Sequence, residues 1–132
     1  MWKVAPILLA PVMLLGASGP GDTFCTPGPY ILFFKKGSDA PRPFHREVMP
    51  NVLRNDAYCE GANIVVEGHI DAGEAASLSA TRAARVRDYL VKRGVNAKRI
   101  RIRDAGATEP RQNNTMPDEG TPNARVEIYW SS

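Results

Sequence analysis

Two cysteines and two histidines are all that this sequence of 132 residues holds of the softer metal-binding side chains. They form neither a Cys-x-x-Cys pair nor a His cluster, so a zinc site lacks its donor set. Charge of one sign is scarce too. The chain has 17 Lys and Arg against 14 Asp and Glu, a formal net charge of +3, which becomes +2 without Lys3. So small an excess makes no electrostatic case for nucleic acid. The apolar stretch over residues 4–15 would extend only ~18 Å as a helix, against ~30 Å of bilayer hydrocarbon. A Gly-x-Ser-x-Gly nucleophile elbow, internal repeats and the strand pattern of a barrel are all missing, which removes the usual grounds for a hydrolase or a pore.

What is present begins with a leader. Met1-Trp2-Lys3 carries one positive charge, an apolar run follows, and Gly16-Ala17-Ser18 supplies small residues. That order describes a secretory signal peptide over residues 1–18, with an uncleaved tether as the alternative. Residues 19–29 are rich in Gly and Pro and read as a linker. One domain fits in the remaining 30–132. Export places Cys25 and Cys59 where a disulfide persists. Each precedes an expected strand, so a Cys25–Cys59 bond at one end of a sheet is the expectation, and two unpaired thiols the alternative. Cys25 follows Asp22-Thr23-Phe24, which is not the small apolar context of a lipid acceptor.

Residues 30–34 (YILFF) and 63–68 (NIVVEG) are apolar runs suited to buried strands, the second expected to be covered on both faces. A helix starting at Pro43 would bury Phe44, Val48 and Val52, with a kink at Pro50. The clearest helix covers 78–93, where Leu78, Val86, Tyr89 and Leu90 share one face while Arg85, Arg87 and Lys92 project away. Lys92 and Arg93 suit its carboxyl end, and Gly94 its stop. Perfect alternation over 99–103 (RIRIR) marks a half-buried strand, a turn-rich loop follows over 104–122, and 125–130 (RVEIYW) closes the chain. The order β-α-β-α-β-β predicts an α/β (α+β) two-layer sandwich, with two helices on one face of a four-stranded mixed sheet.

The junction Gly68-His69-Ile70-Asp71-Ala72-Gly73, followed by Leu78-Ser79-Ala80-Thr81-Arg82-Ala83, carries the sharpest functional signal. Asp71 sits at the carboxyl end of a strand, where α/β sheets hold ligands. Arg82 shares the core-facing stripe of Leu78 and Val86, which is costly unless its head finds a partner or a cleft. Asp71 is the expected partner. The pair then has two readings: a structural ion pair, or a ligand clamp. His69, Asp71 and Glu74 as a metal site is a thin pattern, and His69, Asp71 and Ser77 lack the geometry of a hydrolytic triad. The arginines of the second helix read as a solvated face.

IVVEGHID, LSATRAARVRDYLVKRGV, KRIRIRDAGATEP and PNARVEIYW, in this order, resemble the OmpA C-terminal-like domain shared by outer-membrane protein A, peptidoglycan-associated lipoproteins and flagellar stator proteins. The resemblance spans about residues 30–130 and implies the same β-α-β-α-β-β fold. It implies noncovalent binding of peptidoglycan, with Asp71 and Arg82 holding the diaminopimelate of the stem peptide. That amino acid has an ammonium and a carboxylate on one distal carbon, which a carboxylate and a bidentate guanidinium match; amides at the helix start would assist. Ile70, Ser79, Asn123 and Arg125 fall in the same motifs as secondary candidates.

Several positions depart from the family pattern. Ile70 replaces a threonine, Ala75 an asparagine, Ala124-Arg125 stand for paired arginines, Lys36 takes the place of an aromatic, and the loop between Asp71 and Arg82 is about four residues shorter. The reading is therefore a non-catalytic wall-binding module of the periplasm, associated with the outer membrane or cell wall, without metal or cofactor and without nucleic acid. The rival is an envelope protein-interaction scaffold with a degenerate pocket.

Overall fold

The computed structural model describes residue 6 and residues 24–42, 45–111 and 122–131. The expected leader (1–18) apart from residue 6, the first part of the linker (19–23), Pro43 and Phe44 lie outside the described residues. No helix among the described residues is long and apolar enough to cross a membrane.

The chain runs β1 (Tyr30–Phe33), α1 (His45–Tyr58), β2 (Asn63–His69), α2 (Ser77–Lys92), a 3-10 turn (Ala97–Arg99), β3 (Ile100–Gly106) and β4 (Arg125–Ser131). The four strands form one open sheet in the order β1-β4-β2-β3, with β2 and β3 parallel and the other two pairings antiparallel. Two helices on a four-stranded mixed sheet is the architecture that the alternation of patterns predicts. α1 contains Pro50 in its interior, as the sequence reading places it.

Period-two alternation decides which side chains meet the helices. Leu32, Ile64, Val66, Ile100, Val126, Ile128 and Trp130 join Met49 and Val52 of α1 and Ala83, Val86 and Leu90 of α2 in one buried cluster. Tyr30 meets the Trp130 ring edge-on at 5.6 Å. The carboxyl end of α2 is fixed by a paired cap: Val95 N–H donates to Leu90 C=O and Gly94 N–H to Val91 C=O, with Gly94 at φ 97°. This is the Schellman arrangement, in which glycine meets the left-handed conformation without strain.

At Gly68 the layers touch. A Cβ there would lie 1.9 Å from the Ser79 carbonyl oxygen, so the glycine lets α2 sit directly on β2. Cys25 and Cys59 are bonded as expected, tying the segment before β1 to the end of α1.

Two sequence expectations need correction. β2 is not covered by apolar layers on both faces: Glu67 and His69, alternating with the core residues, are buried in a network of charges on the far side of the sheet. Ile102 is 40% exposed despite its core-facing register with Val66, because β3 is the edge strand of the sheet.

Candidate functional site

β2 ends at His69, and Asp71 opens the turn that leads into α2. Asp71 is 1% and Arg82 0% exposed, so the junction that the sequence singles out is assembled but closed. Two surface clefts lie elsewhere. One, of about 220 Å³, is lined by Thr26, Tyr30, Asn51, Arg54, Asn55 and Tyr58; the other, between Asp39 and α2, holds neither Asp71 nor Arg82.

The partner of Arg82 is Glu74, not Asp71. Its Nη1 donates to Glu74 Oε1 at 2.9 Å and its Nη2 to Glu74 Oε2 at 2.5 Å, a bidentate fork between side chains that are both almost completely buried. The remaining guanidinium donors go to backbone: Nε to Ser38 C=O at 2.9 Å, Nη1 to His69 C=O at 3.2 Å and Nη2 to Lys35 C=O at 3.5 Å. The Phe34 ring lies 5.2 Å from the guanidinium carbon, adding a cation–π contact. A charge on the core side of a helix is tolerable on these terms, since every N–H has an acceptor.

Glu74 is held just as fully. Its Oε1 accepts from Asp71 N–H and its Oε2 from Gly37 N–H, both at 2.7 Å. Burial pushes its carboxyl pKa up, but Arg82 and these two amides outweigh burial and hold it below the ordinary carboxylate value. The amides that serve a carboxylate here thus come from the β1–α1 loop and the start of the β2–α2 turn, rather than from the start of α2.

Asp71 faces another way. Its Oδ1 accepts from Asn123 Nδ2 and from Ala72 N–H, both at 3.1 Å. Its Oδ2 is buried with no hydrogen-bond partner among the described residues. An orphaned carboxylate oxygen is uncommon in a folded interior. Asn123 accepts Arg111 N–H through its own side-chain carbonyl at 2.7 Å, so it braces Asp71 from the turn before β4.

The other secondary candidates are buried and bonded within the chain. Ile70 is buried and donates its N–H to Gly106 C=O. Ser79 is buried under Gly68, with its hydroxyl on Asp104 and Ala76 C=O. Arg125 is buried on the far face, bonded to Glu127, Asn123 C=O and Glu109 C=O.

His69, Asp71 and Glu74 do not converge on a metal position. His69 instead groups with Glu67 and Glu127 across the β2–β4 pair, with ligand atoms within 4.8 Å of one another. Those carboxylates already have cations: Arg103 lies on Glu67 at 2.5 Å and Arg125 on Glu127 at 2.8 Å, and Tyr129 O–H also donates to Glu67. His69 Nε2 is 2.8 Å from Glu67 Oε1 but off the line of a hydrogen bond, and neither ring nitrogen has a hydrogen-bond partner among the described residues. Burial first, and then the Arg125 charge, lower the His69 pKa, more than the two glutamates raise it. The group is an ion-pair lattice around an imidazole whose charged form its surroundings disfavour.

Sequence reasoning missed Glu74 as the acceptor for Arg82. Its signal was the acid three residues beyond Asp71, weighed only as part of a metal pattern.

Comparison with known proteins agrees with this architecture. The chain is 34% identical over 90 residues to the peptidoglycan-binding protein ArfA of Mycobacterium tuberculosis and of Mycobacterium bovis. That alignment covers 65% of this chain and 28% of the relative, so the chain spans under a third of the length of these relatives. The peptidoglycan-associated lipoprotein of Burkholderia pseudomallei superposes with a TM-score of 0.69 at 16% identity, covering 77% of this chain and 90% of that one; it speaks for the fold alone. The periplasmic domain of Helicobacter pylori MotB superposes with a TM-score of 0.64 at 26% identity, over 76% of this chain and 70% of that one. The model of the OmpA family matches residues 33–124, from the end of β1 to the approach to β4. On that match, which takes in both helices and the Asp71–Arg82 junction, the chain belongs to the OmpA family.

Proposed function

We propose that this chain is a non-catalytic peptidoglycan-binding module of the bacterial envelope, exported to the periplasm and holding the diaminopimelate of the stem peptide at Asp71 and Arg82. Residues 1–18 serve as its leader, 19–29 as a linker, and 30–132 as the binding domain. The observation that carries the reading is Asp71 Oδ2, a buried carboxylate oxygen without a partner among the described residues, on a residue whose N–H shares Glu74 Oε1 with the Arg82 guanidinium. An ammonium at the first position and a carboxylate at the second are the two ends of an amino-acid head group. The names of the ArfA relatives support peptidoglycan as the source of that group.

Sedimentation with purified sacculi tests the proposal. Asp71→Asn keeps the volume and removes the charge, and loss of a charge partner of a desolvated ammonium should cost ~2–5 kcal/mol of binding. Arg82→Lys replaces the fork by a point charge and should weaken binding as well. Unchanged retention of a folded Asp71→Asn variant would overturn the assignment.

A second reading, an envelope protein-interaction scaffold of the same fold, is favoured by the occupation of Arg82 by Glu74. Soluble diaminopimelate separates the two: it displaces a wall binder from its partner and leaves a scaffold in place.

A further inference from the structure

We infer that Glu74 is an internal substitute for the ligand's carboxylate, so that this module takes a ligand only by exchanging it for its own side chain, and thereby selects amino-acid head groups over simple acids. The inference rests on the ligand-binding reading of Asp71 and Arg82 and adds a filter to it.

The receptor is complete without Glu74. Of the five N–H groups of Arg82, three are fixed on the carbonyls of Lys35, Ser38 and His69. The other two are aimed in parallel at one carboxylate. The amides of Gly37 and Asp71 point at the same two oxygens. Four donors from three separate stretches of chain thus converge on a site that a carboxylate from any source would satisfy.

The tenant is on a short hinge. Glu74 sits in the turn between β2 and α2, flanked by Ala72, Gly73, Ala75 and Ala76, all exposed, and Gly73 is at φ 88°. No large side chain ties this turn to the core, so a change in Glu74 rotamer empties the fork without unpacking a helix. Arg82 cannot stay bare meanwhile, because an unpaired buried guanidinium is strongly unfavourable. One anion must replace another.

Exchange sets the selectivity. A simple carboxylate offers the fork only what Glu74 already provides, and Glu74 is tethered. An amino-acid head group brings an ammonium as well, which Asp71 Oδ2 accepts and Glu74 cannot supply. Such a ligand gains one contact on exchange, whereas a plain acid gains none.

The test uses the full chain and its Glu74→Ala variant, with acetate, meso-diaminopimelate and sacculi as probes. Thermal unfolding is followed in acetate against chloride at equal ionic strength. Acetate should leave the natural protein unchanged and raise the midpoint of Glu74→Ala. Should the variant fail to fold in chloride, folding in acetate gives the same answer, and failure in both salts overturns the inference. Diaminopimelate should bind both proteins, the variant roughly ten-fold or more tightly, as expected when the competent state is a minor population. Equal response of the folded variant to acetate and chloride overturns the role of Glu74. Asp71-dependent sacculus binding with no gain in the variant also overturns it, while leaving the peptidoglycan reading intact. Acetate rescue without sacculus binding by either protein supports the seat and overturns the peptidoglycan reading.

Discussion

Replacing Gly68 by alanine tests the way β2 and α2 position Arg82. The new Cβ would lie 1.9 Å from the Ser79 carbonyl oxygen and 2.6 Å from its carbonyl carbon. Unstrained carbon–oxygen contacts begin near ~3.3 Å, so α2 must retreat by roughly 1.4 Å or β2 must bend by as much. The obstacle is helix backbone, so no side chain can turn aside to make room. Overpacking of a rigid core costs ~1–3 kcal/mol, and a backbone clash belongs at the upper end. At roughly 4–8 °C per kcal/mol for a domain of this size, Tm should fall by ~10–20 °C. Circular dichroism melts with the disulfide intact measure it. Because Arg82 is carried on the first turns of the same helix, the variant should also lose sacculus binding at temperatures where it remains folded. Trimming the neighbour with Ser79→Ala should not rescue it, since the clashing atom is main chain. A Tm within about 3 °C of the natural protein would refute the close-approach argument.

The Cys25–Cys59 bond closes a loop with a sequence separation of 34 residues, for which chain entropy gives ~4 kcal/mol; the Cys25→Ser/Cys59→Ser double variant should unfold at a correspondingly lower urea concentration, and an unchanged midpoint would deny the bond a stabilising role. Acid should destabilise the fold in two steps. Burial and Arg125 lower the His69 pKa below 6.5, so the unfolded chain binds this proton first, and stability falls as the pH drops below about 6.5. Glu67 and Glu74 are lowered below 4.5, their cation and hydrogen-bond partners outweighing burial; their contribution is complete above that value and lost as the pH falls through their folded values. Urea midpoints from pH 7.5 to 3.5 check both steps, and His69→Gln should flatten the upper one.

Much of this was legible in the sequence because it is local. The 3.6-residue pattern of 78–93 and the alternation of 99–103 are set by residues near one another; the helix appears within one residue of its expected limits, and the strand starts one residue later and runs on three residues further, to Gly106. The exposure of Ile102 was not legible, since alternation reports two faces but not whether a strand lies at an edge. Asp71 and Arg82 are both recovered at the junction, yet their partners are not. Arg82 chooses Glu74 because the short turn swings that side chain back beneath the helix, and Asp71 finds Asn123, 52 residues on. Glu67 and Glu127 are direct neighbours across β2 and β4 only by virtue of the sheet register. Partner choice is a property of three-dimensional closure, which spacing does not encode.

The cross-link before the first strand has a mechanical consequence. β1 is a four-residue edge strand held to the sheet by β4 alone, the sort of element that would unzip if the chain were tugged from its amino end. The load path avoids it. Force arriving upstream enters at Cys25 and passes through the sulfurs to Cys59, beside the start of β2 at the middle of the sheet. Thr26 clasped by Asn55 through two hydrogen bonds, and Pro27 C=O holding Trp130 N–H, give the same anchorage further hold. A domain suspended by its amino-terminal segment would therefore bear strain through its centre and leave its weakest seam slack.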